Sequence, residues 1–235
     1  MPTSPVLILQ HNAEDGPAFL STWLAACGVG IDLRHALAGQ PLPETTAGYA
    51  ALAILGGSMS VNDPLPSLRH EETLLLDAMA RGLPVIGHCL GGQMMARALG
   101  APVAPAELPE IGWHAVDWLP GAGDWFGTPG DAPVFQWHTD AFALPPGAQR
   151  LAGSAACPNQ AFALGPHLAM QFHVELDADK LHLWCDQPDA AYWQALPRHP
   201  AQVQSVVAML ADAPRRLAAQ QALAAAAYTR WLSAA

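Results

Sequence analysis

The chain has 235 residues, 51% of them hydrophobic, which is enough for one large domain with a sizeable core. Twenty acidic residues stand against ten Lys and Arg, and the resulting formal charge of −10 argues against direct binding to nucleic acid. The chain has no run of about eighteen apolar residues and no basic N-terminal region, so we expect a cytoplasmic protein without a signal peptide or membrane association.

The first hundred residues alternate between short apolar runs and amphipathic stretches. Phe19 to Cys27 show helical spacing of apolar residues, and Gly28 is a typical residue to end that helix. This alternation of strand and helix is typical of a parallel sheet with helices on both faces. The predicted strands are 5–10, 29–34, 51–55 and 84–88, and the further predicted helices are 68–81 and 90–99.

From about Gly112 the pattern changes to short β-like stretches separated by Gly and Pro loops, which predicts antiparallel additions and a last central strand. After Asp177 the pattern is helical again, and Pro214 is expected to start an Ala-rich final helix that ends near Trp231. We therefore predict a domain over residues 1–178 and a helical extension over 179–235 packed on it. The β-like stretches are 114–119, 134–137, 160–164 and 167–172, and the apolar stripe before the final helix comprises Val203, Val206, Val207 and Leu210.

Cys89 is the strongest candidate for a chemical role. It lies in Gly87-His88-Cys89-Leu90-Gly91, which fits the pattern Gly-x-nucleophile-x-Gly between a predicted strand and a predicted helix. Small flanking residues allow the sharp turn, and the start of the helix favours a thiolate. An isolated cysteine is more often a buried packing residue, but the glycines and the strand–helix context favour a nucleophile. We expect His88 to point away and to pack. The four cysteines form no C-x-x-C pair, so reduced thiols are predicted.

A cysteine nucleophile needs a base, and that base needs a group that fixes its tautomer. His173 and Glu175 follow an apolar stretch and are two residues apart, so in an extended strand they would share one face. The other histidines are expected to have ordinary surface or core roles. A metal site built from His167, His173 and His182 is disfavoured because their spacing matches no metal motif, and we predict no metal and no cofactor.

Three separated segments resemble motifs of the class I, triad-type glutamine amidotransferases. Gly87–Gln93 looks like the Gly-x-Cys-Leu-Gly-x-Gln motif, Phe172–Glu175 resembles Phe-His-Pro-Glu, and Leu55–Ser58 resembles the glycine loop after the third strand. The resemblance covers residues 5–178 and is closest to stand-alone proteins similar to the glutaminase part of GMP synthase. It implies a flavodoxin-like open, mostly parallel sheet with a Cys-His-Glu triad at its carboxyl edge.

The resemblance also implies a role for each matching residue. Cys89 would attack the side-chain amide carbon of glutamine, His173 would move the proton to the leaving ammonia, and Glu175 would orient His173. A γ-glutamyl thioester would form and then be hydrolysed. The backbone N–H groups of Gly57 and Leu90 would form the oxyanion hole.

Glutamine itself would be held by Gln93 and by the segment that contains His138, Thr139 and Asp140, which resembles the stretch that receives the amino-acid end of the substrate. Three residues depart from the usual motifs. Ser58 stands in place of the Pro of the glycine loop. Val174 stands in place of Pro. Thr139 stands in place of Gly, which would strain the backbone if this position required a positive φ.

Three functions remain open at the level of sequence. The first is a glutaminase-type amidotransferase that supplies ammonia to an unidentified acceptor with a synthase partner protein, since the chain carries no ATP pyrophosphatase motif or P-loop. The second is a γ-glutamyl hydrolase acting on a γ-glutamylated amine or peptide. The third is a non-catalytic regulatory or binding protein with the same fold. In the extension, 181–193 either packs helices onto the sheet, or covers the active site or forms a partner surface.

Overall fold

The computed structural model describes residues 2–131 and 133–235. Its strands are β1 (Val6–Gln10), β2 (Ile31–His35), β3 (Ala51–Ile54), β4 (Val85–His88), β5 (Val103–His114), β6 (Asp117–Trp118), β7 (Val134–Phe142), β8 (Gln149–Gly153), β9 (Ala161–Leu164) and β10 (His167–Met170). Its helices are α1 (Phe19–Ala26), α2 (Pro66–Ala80), α3 (Leu90–Ala98), α4 (Ala122–Phe126), α5 (Ala178–Asp186), α6 (Ala190–Ala195) and α7 (Val206–Leu232).

The centre of the fold is a mixed sheet with the strand order β2-β1-β3-β4-β10-β9-β8-β6. The first five of these strands run parallel, and the last three add antiparallel pairs at one edge. β5 and β7 form a separate antiparallel ribbon. The predicted fold class, an open and mostly parallel sheet with antiparallel additions, is confirmed.

Alternate side chains of each central strand enter opposite faces of the sheet, as the two-residue period of a strand requires. Ile8 packs in one cluster with Trp231 of α7, whereas Leu9 packs in another with Leu75 of α2 and Met94 of α3. Helices therefore cover both faces, and every residue of β1 is buried. A continuous apolar run such as β1 is typical of a parallel strand buried on both sides.

A third apolar cluster joins the β5–β7 ribbon to the helices that follow the sheet. Trp113 and Phe135 of the ribbon pack there against Leu181 of α5, Tyr192 of α6 and Met209 at the start of α7. The chain after residue 178 thus packs on the ribbon through α5 and α6, and on the sheet through the second half of α7. The predicted boundary at residue 178 stays a prediction.

The C-terminal helix differs from the prediction. α7 is continuous and begins after Ser205, so Pro214 lies inside it and the predicted start was wrong. Proline inside a helix removes one backbone donor and its ring crowds the carbonyl of residue i−4, at a cost of about 3 kcal/mol. The helix is continuous because buried residues anchor it on both sides of Pro214, among them Met209 and Leu223. Val207 is 73% exposed and lies off the predicted stripe, and Val203 precedes the helix and bridges to Ile111.

Of the described helices, none is both long and apolar enough to span a membrane.

Several strands also differ from their predicted bounds. β2 begins at Ile31 and not at residue 29, and the predicted stretch 114–119 is divided between the end of β5 and β6. β7 extends from the predicted 134–137 to Phe142 because it pairs with β5 along most of its length. β10 ends at Met170, so His173 and Glu175 lie in a turn beyond the carboxyl end of that strand. The expectation of an extended backbone there was wrong, although their side chains still meet.

Candidate active site

Cys89 occupies the sharp turn between β4 and α3, with φ 48° and ψ −104°. A non-glycine residue at positive φ carries strain of about 1–3 kcal/mol, and such strain is common at functional sites. The neighbouring glycines make the turn possible. A Cβ on Gly87 would lie 2.5 Å from the backbone of Gly91, and a Cβ on Gly91 would lie 2.2 Å from the carbonyl oxygen of Ile54. Strand and helix therefore approach backbone to backbone and hold the sulfur at the carboxyl edge of the sheet.

The Cys89 side chain is 6% exposed and has polar neighbours on two sides. The side-chain amide of Gln171 donates towards its Sγ over 3.5 Å, and Sγ lies 3.8 Å from the carbonyl oxygen of Trp137. The Cys89 backbone N–H donates to the carbonyl oxygen of Met170 at 2.8 Å, which fixes the turn against β10. Sequence reasoning missed Gln171, although its position two residues before His173 was an available signal.

His173 and Glu175 form a buried ion pair beside the sulfur. His173 Nδ1 lies 2.7 Å from Glu175 Oε1, and the His173 backbone N–H donates to the carbonyl oxygen of Phe135 at 2.9 Å. The edge of the Trp184 ring packs on the imidazole, with ring centroids 4.7 Å apart. Burial alone lowers the pKa of His173, but the Glu175 carboxylate and the adjacent Cys89 together outweigh burial and raise that pKa to about 10. The imidazole is therefore held as a cation.

Glu175 is the centre of a larger buried charge cluster. Its Oε1 lies 3.6 Å from Nζ of Lys180, which also pairs with Asp15 at 2.7 Å, and its Oε2 lies 4.0 Å from Nε2 of His88. Burial raises the pKa of Glu175, but the neighbouring cations lower it more, so the carboxylate stays ionised. Burial lowers the pKa of His88 to about 4, and the Tyr228 hydroxyl lies 3.3 Å from its Nε2. His88 points away from the sulfur as expected, yet it borders Glu175.

The glycine loop that follows β3 lies against the sulfur and the imidazole. A Cβ on Gly57 would lie 2.8 Å from Leu90 Cδ2, so the two residues predicted to form the oxyanion hole are adjacent. A Cβ on Gly56 would lie 2.8 Å from Cε1 of His173 and 3.8 Å from Cβ of Cys89. Only residues without side chains fit at this distance from the nucleophile.

The residues predicted to hold substrate meet in one pocket next to the sulfur. Gln93 Nε2 donates to the carbonyl oxygen of Asp140 at 3.1 Å and lies 3.3 Å from Oε1 of Gln171. Thr139 lies in β7 and not at positive φ, so the threonine causes no backbone strain there. His138 is buried, and its Nδ1 lies 3.1 Å from the Asp140 carbonyl oxygen, so its ring supports the strand.

A second pocket also borders Cys89 and is lined by His173. Trp137 and Trp184, with ring centroids 5.6 Å apart, form its apolar wall, and Asn12 and Asp189 add polar groups. The part of the extension around Trp184 and Asp189 therefore borders the site as well as packing on the ribbon. Cys89 lines both pockets, together with Gly57, Ser58, Trp137 and Asp189.

A buried polar cluster behind His138 contains the one group of potential metal ligands among the described residues. Atoms of Glu110, His138 and Cys157 lie within 4.8 Å of one another. Glu110 accepts hydrogen bonds from the Ser154 hydroxyl at 2.9 Å and from Gln160 Nε2 at 2.6 Å. Its oxygens are thus already engaged, and this network ties β5 and β7 to the main sheet.

Comparison with known proteins places this geometry in a family. The model of the class I glutamine amidotransferase family matches residues 23–181. The chain is 32% identical over 184 residues to the glutamine amidotransferase-like protein YfeJ of Salmonella typhimurium, which covers 72% of this chain and 75% of YfeJ. It is 37% identical over 130 residues to the GMP synthase of Thermomicrobium roseum, covering 53% of this chain but only 23% of that enzyme.

Solved structures agree over nearly the whole chain. A glutamine amidotransferase from Methylobacillus flagellatus superposes with a TM-score of 0.91 at 36% identity, covering 98% of this chain and 95% of that one. A glutamine amidotransferase from Thermotoga maritima superposes with a TM-score of 0.87 at 27% identity, covering 99% of each chain. The family model matches more than half of the chain, and the relatives and neighbours agree with it. The chain therefore belongs to the class I glutamine amidotransferase family.

Proposed function

We propose that the protein hydrolyses the side-chain amide of glutamine through a covalent thioester on Cys89. The observation that carries the proposal is the buried pair of His173 and Glu175 beside a strained cysteine that borders two pockets. A nucleophile, a proton carrier and a group that orients the carrier are the parts that amide cleavage by a thiol requires.

In the first half-reaction the Cys89 thiolate attacks the amide carbon, and the carbonyl electron pair moves to oxygen. The N–H groups of Gly57 and Leu90 stabilise the resulting oxyanion. His173 already carries a proton because its pKa is raised to about 10, so it acts first as an acid. It gives this proton to the leaving nitrogen as the C–N bond breaks, and ammonia departs from the γ-glutamyl thioester.

In the second half-reaction the roles reverse. His173 is now neutral and accepts a proton from water while the water oxygen attacks the thioester carbon. Glutamate leaves when the C–S bond breaks, and the thiolate and imidazolium are restored. The carboxylate of Glu175 accepts a hydrogen bond from Nδ1 of His173 throughout the cycle. Nε2 is therefore the nitrogen that gives and takes the proton in the reaction.

The γ-glutamyl part of the substrate would occupy the pocket that contains Gln93 and Thr139. In this arrangement Gln93 and the backbone of β7 receive the amino-acid end, and Asp140 adds a carboxylate that Ser60 already orients through a 2.9 Å hydrogen bond. Because Gln93 is fixed by Asp140 and Gln171, its amide is preorganised before substrate binds.

A second candidate activity is hydrolysis of a γ-glutamylated amine or peptide. The pocket walled by Trp137 and Trp184 favours it, because that pocket adjoins His173, the residue that protonates the leaving nitrogen. A leaving amine larger than ammonia would find apolar ring surface there. The thioester chemistry is the same in both cases, and only the leaving group differs.

We also propose that a synthase partner receives the ammonia if glutamine is the substrate. The relatives include glutamine-hydrolysing GMP synthases, and one of them, from Thermoplasma acidophilum, is a single component of such an enzyme that is 30% identical to this chain over 133 residues.

The test is glutamate release from glutamine and from a chromogenic γ-glutamyl anilide. We expect turnover by the wild type and none by Cys89→Ala, with Cys27→Ala as the matched control because Cys27 is a free thiol remote from both pockets. Because an activated anilide has a better leaving group than glutamine, the comparison that selects the hydrolase is a higher kcat/KM for an unactivated γ-glutamyl alkylamide than for glutamine. Release from none of these substrates, or activity that survives in Cys89→Ala, would refute the proposed chemistry.

A further inference from the structure

A second buried histidine–carboxylate pair lies behind the glycine loop, and the mechanism above does not use it. His11 follows the carboxyl end of β1, and Glu71 lies in α2. Both side chains are fully buried, and His11 Nε2 lies 2.8 Å from Glu71 Oε2. A buried polar pair is costly to desolvate and is not by itself a source of stability, so a positional role is worth seeking.

The other ring nitrogen of His11 reaches the glycine loop. Nδ1 lies 3.0 Å from the carbonyl oxygen of Gly56, and a Cβ on Gly57 would lie 3.0 Å from Cβ of His11. The loop also contacts His173, since a Cβ on Gly56 would lie 2.8 Å from that ring. The Gly56–Gly57 peptide is thus in contact with both histidines.

The orientation of this peptide decides whether the oxyanion hole exists. The described chain has no cis peptide bonds, so the Gly56 carbonyl and the Gly57 N–H belong to one trans plane and point in opposite directions. A hydrogen bond that draws the carbonyl oxygen towards His11 therefore turns the Gly57 N–H to the other side, where Gly57 and Cys89 line the same pockets. Two adjacent glycines would otherwise allow this peptide to flip easily.

We propose that His11 and Glu71 are positioning residues that hold the Gly56–Gly57 peptide in the orientation that completes the oxyanion hole. This inference rests on the proposed thioester chemistry. A carbonyl oxygen can only accept, so Nδ1 of His11 must carry a hydrogen. The 2.8 Å contact at Nε2 then requires one proton between Nε2 and the carboxyl group of Glu71. Glu71 thereby fixes the tautomer that donates to Gly56.

The kinetic test compares variants that keep or lose the donor at the Nδ1 position. His11→Leu combined with Glu71→Met removes the pair without leaving a buried charge, and we expect kcat to fall about 100- to 1,000-fold, as for the loss of one oxyanion donor, with KM little changed. His11→Asn places an amide N–H near the Nδ1 position and should recover most of the loss. Glu71→Gln can still donate to Nε2 and should stay within about tenfold of wild type.

The rate at which iodoacetamide alkylates Cys89 distinguishes positioning from a merely structural role, because general damage to the site would lower that rate. This displacement forms no oxyanion, so its rate should be the same in the wild type and in the double variant. Equal losses of alkylation and turnover would mean that the substitutions disturb the whole site and would overturn the proposal. Unchanged kcat in the double variant would overturn it as well.

Crystal structures of the wild type and the double variant keep this inference separate from the proposed function. We expect the Gly56 carbonyl to face His11 in the wild type and to rotate towards the pocket in the variant. A variant that retains the original peptide orientation would refute the inference, even if the wild type cleaves no γ-glutamyl amide. Absence of turnover with the expected peptide rotation would refute the function alone.

Discussion

Replacing Cys89 with glycine should stabilise the protein relative to replacing it with alanine. Both substitutions remove the sulfur, but alanine keeps the Cβ that is strained at φ 48° and ψ −104°. Relief of that strain is worth about 1–3 kcal/mol. The extra freedom of glycine in the unfolded chain costs about 0.5–1 kcal/mol. The net expectation is that Cys89→Gly unfolds with a free energy about 1 kcal/mol higher than that of Cys89→Ala.

Thermal and urea unfolding of the two variants would measure this difference, and about 1 kcal/mol corresponds to a rise in Tm of about 2–4 °C for a domain of this size. Ala222→Gly is the control, since Ala222 is exposed in the middle of α7 and glycine there should destabilise the protein by about 1 kcal/mol. If Cys89→Gly were less stable than Cys89→Ala by a similar amount, the turn would carry no strain and the reasoning would be wrong.

Two further predictions follow from the site. Glu175→Gln removes the carboxylate that opposes burial, so the pKa of His173, titrated by NMR, should fall from about 10 towards or below its ordinary 6.5. A raised histidine pKa stabilises the folded state fully below the unfolded value of 6.5, and this contribution is lost as pH rises through the folded value. The wild type should therefore have a higher free energy of unfolding than Glu175→Gln near pH 6, and the difference should disappear as pH rises through about 10. A difference that grows with pH would contradict the assignment. Gly91→Ala should lower the free energy of unfolding by about 3 kcal/mol or more, or prevent folding, because its Cβ would lie 2.2 Å from the carbonyl oxygen of Ile54. At Gly123 a Cβ would meet open space, so Gly123→Ala should stabilise the protein by about 0.4–1 kcal/mol. Equal unfolding midpoints for both variants would refute the packing argument.

Most of the fold could be predicted from the sequence, because a buried parallel strand is a continuous apolar run and is separated from the next by a helix and glycines. β1, β3 and β4 lie within one residue of the predicted bounds for this reason. The start of α7 was predicted wrongly because the rule that proline ends a helix considers only neighbouring residues. The stability of this helix depends on packing along its whole length. The length of β7 depends on its pairing with β5, which local pattern does not contain.

Site residues could be predicted from the sequence only where they belong to a local motif. Cys89 and His173 could be proposed because a glycine turn and a two-residue spacing mark them. Lys180 could not be placed, because its contact with Glu175 joins the start of α5 to the turn after β10. The His11–Glu71 contact spans sixty residues of sequence and shows only when β1 and α2 are packed.

The most direct test of the central claim is mass spectrometry of the protein quenched by acid during turnover of glutamine. We predict that the peptide containing Cys89 gains the mass of one γ-glutamyl group, that the adduct disappears when substrate is exhausted, and that Cys89→Ala never acquires it. Glutamate release without this adduct, or an adduct on Cys27, Cys157 or Cys185 instead, would contradict the assignment of Cys89 as the nucleophile.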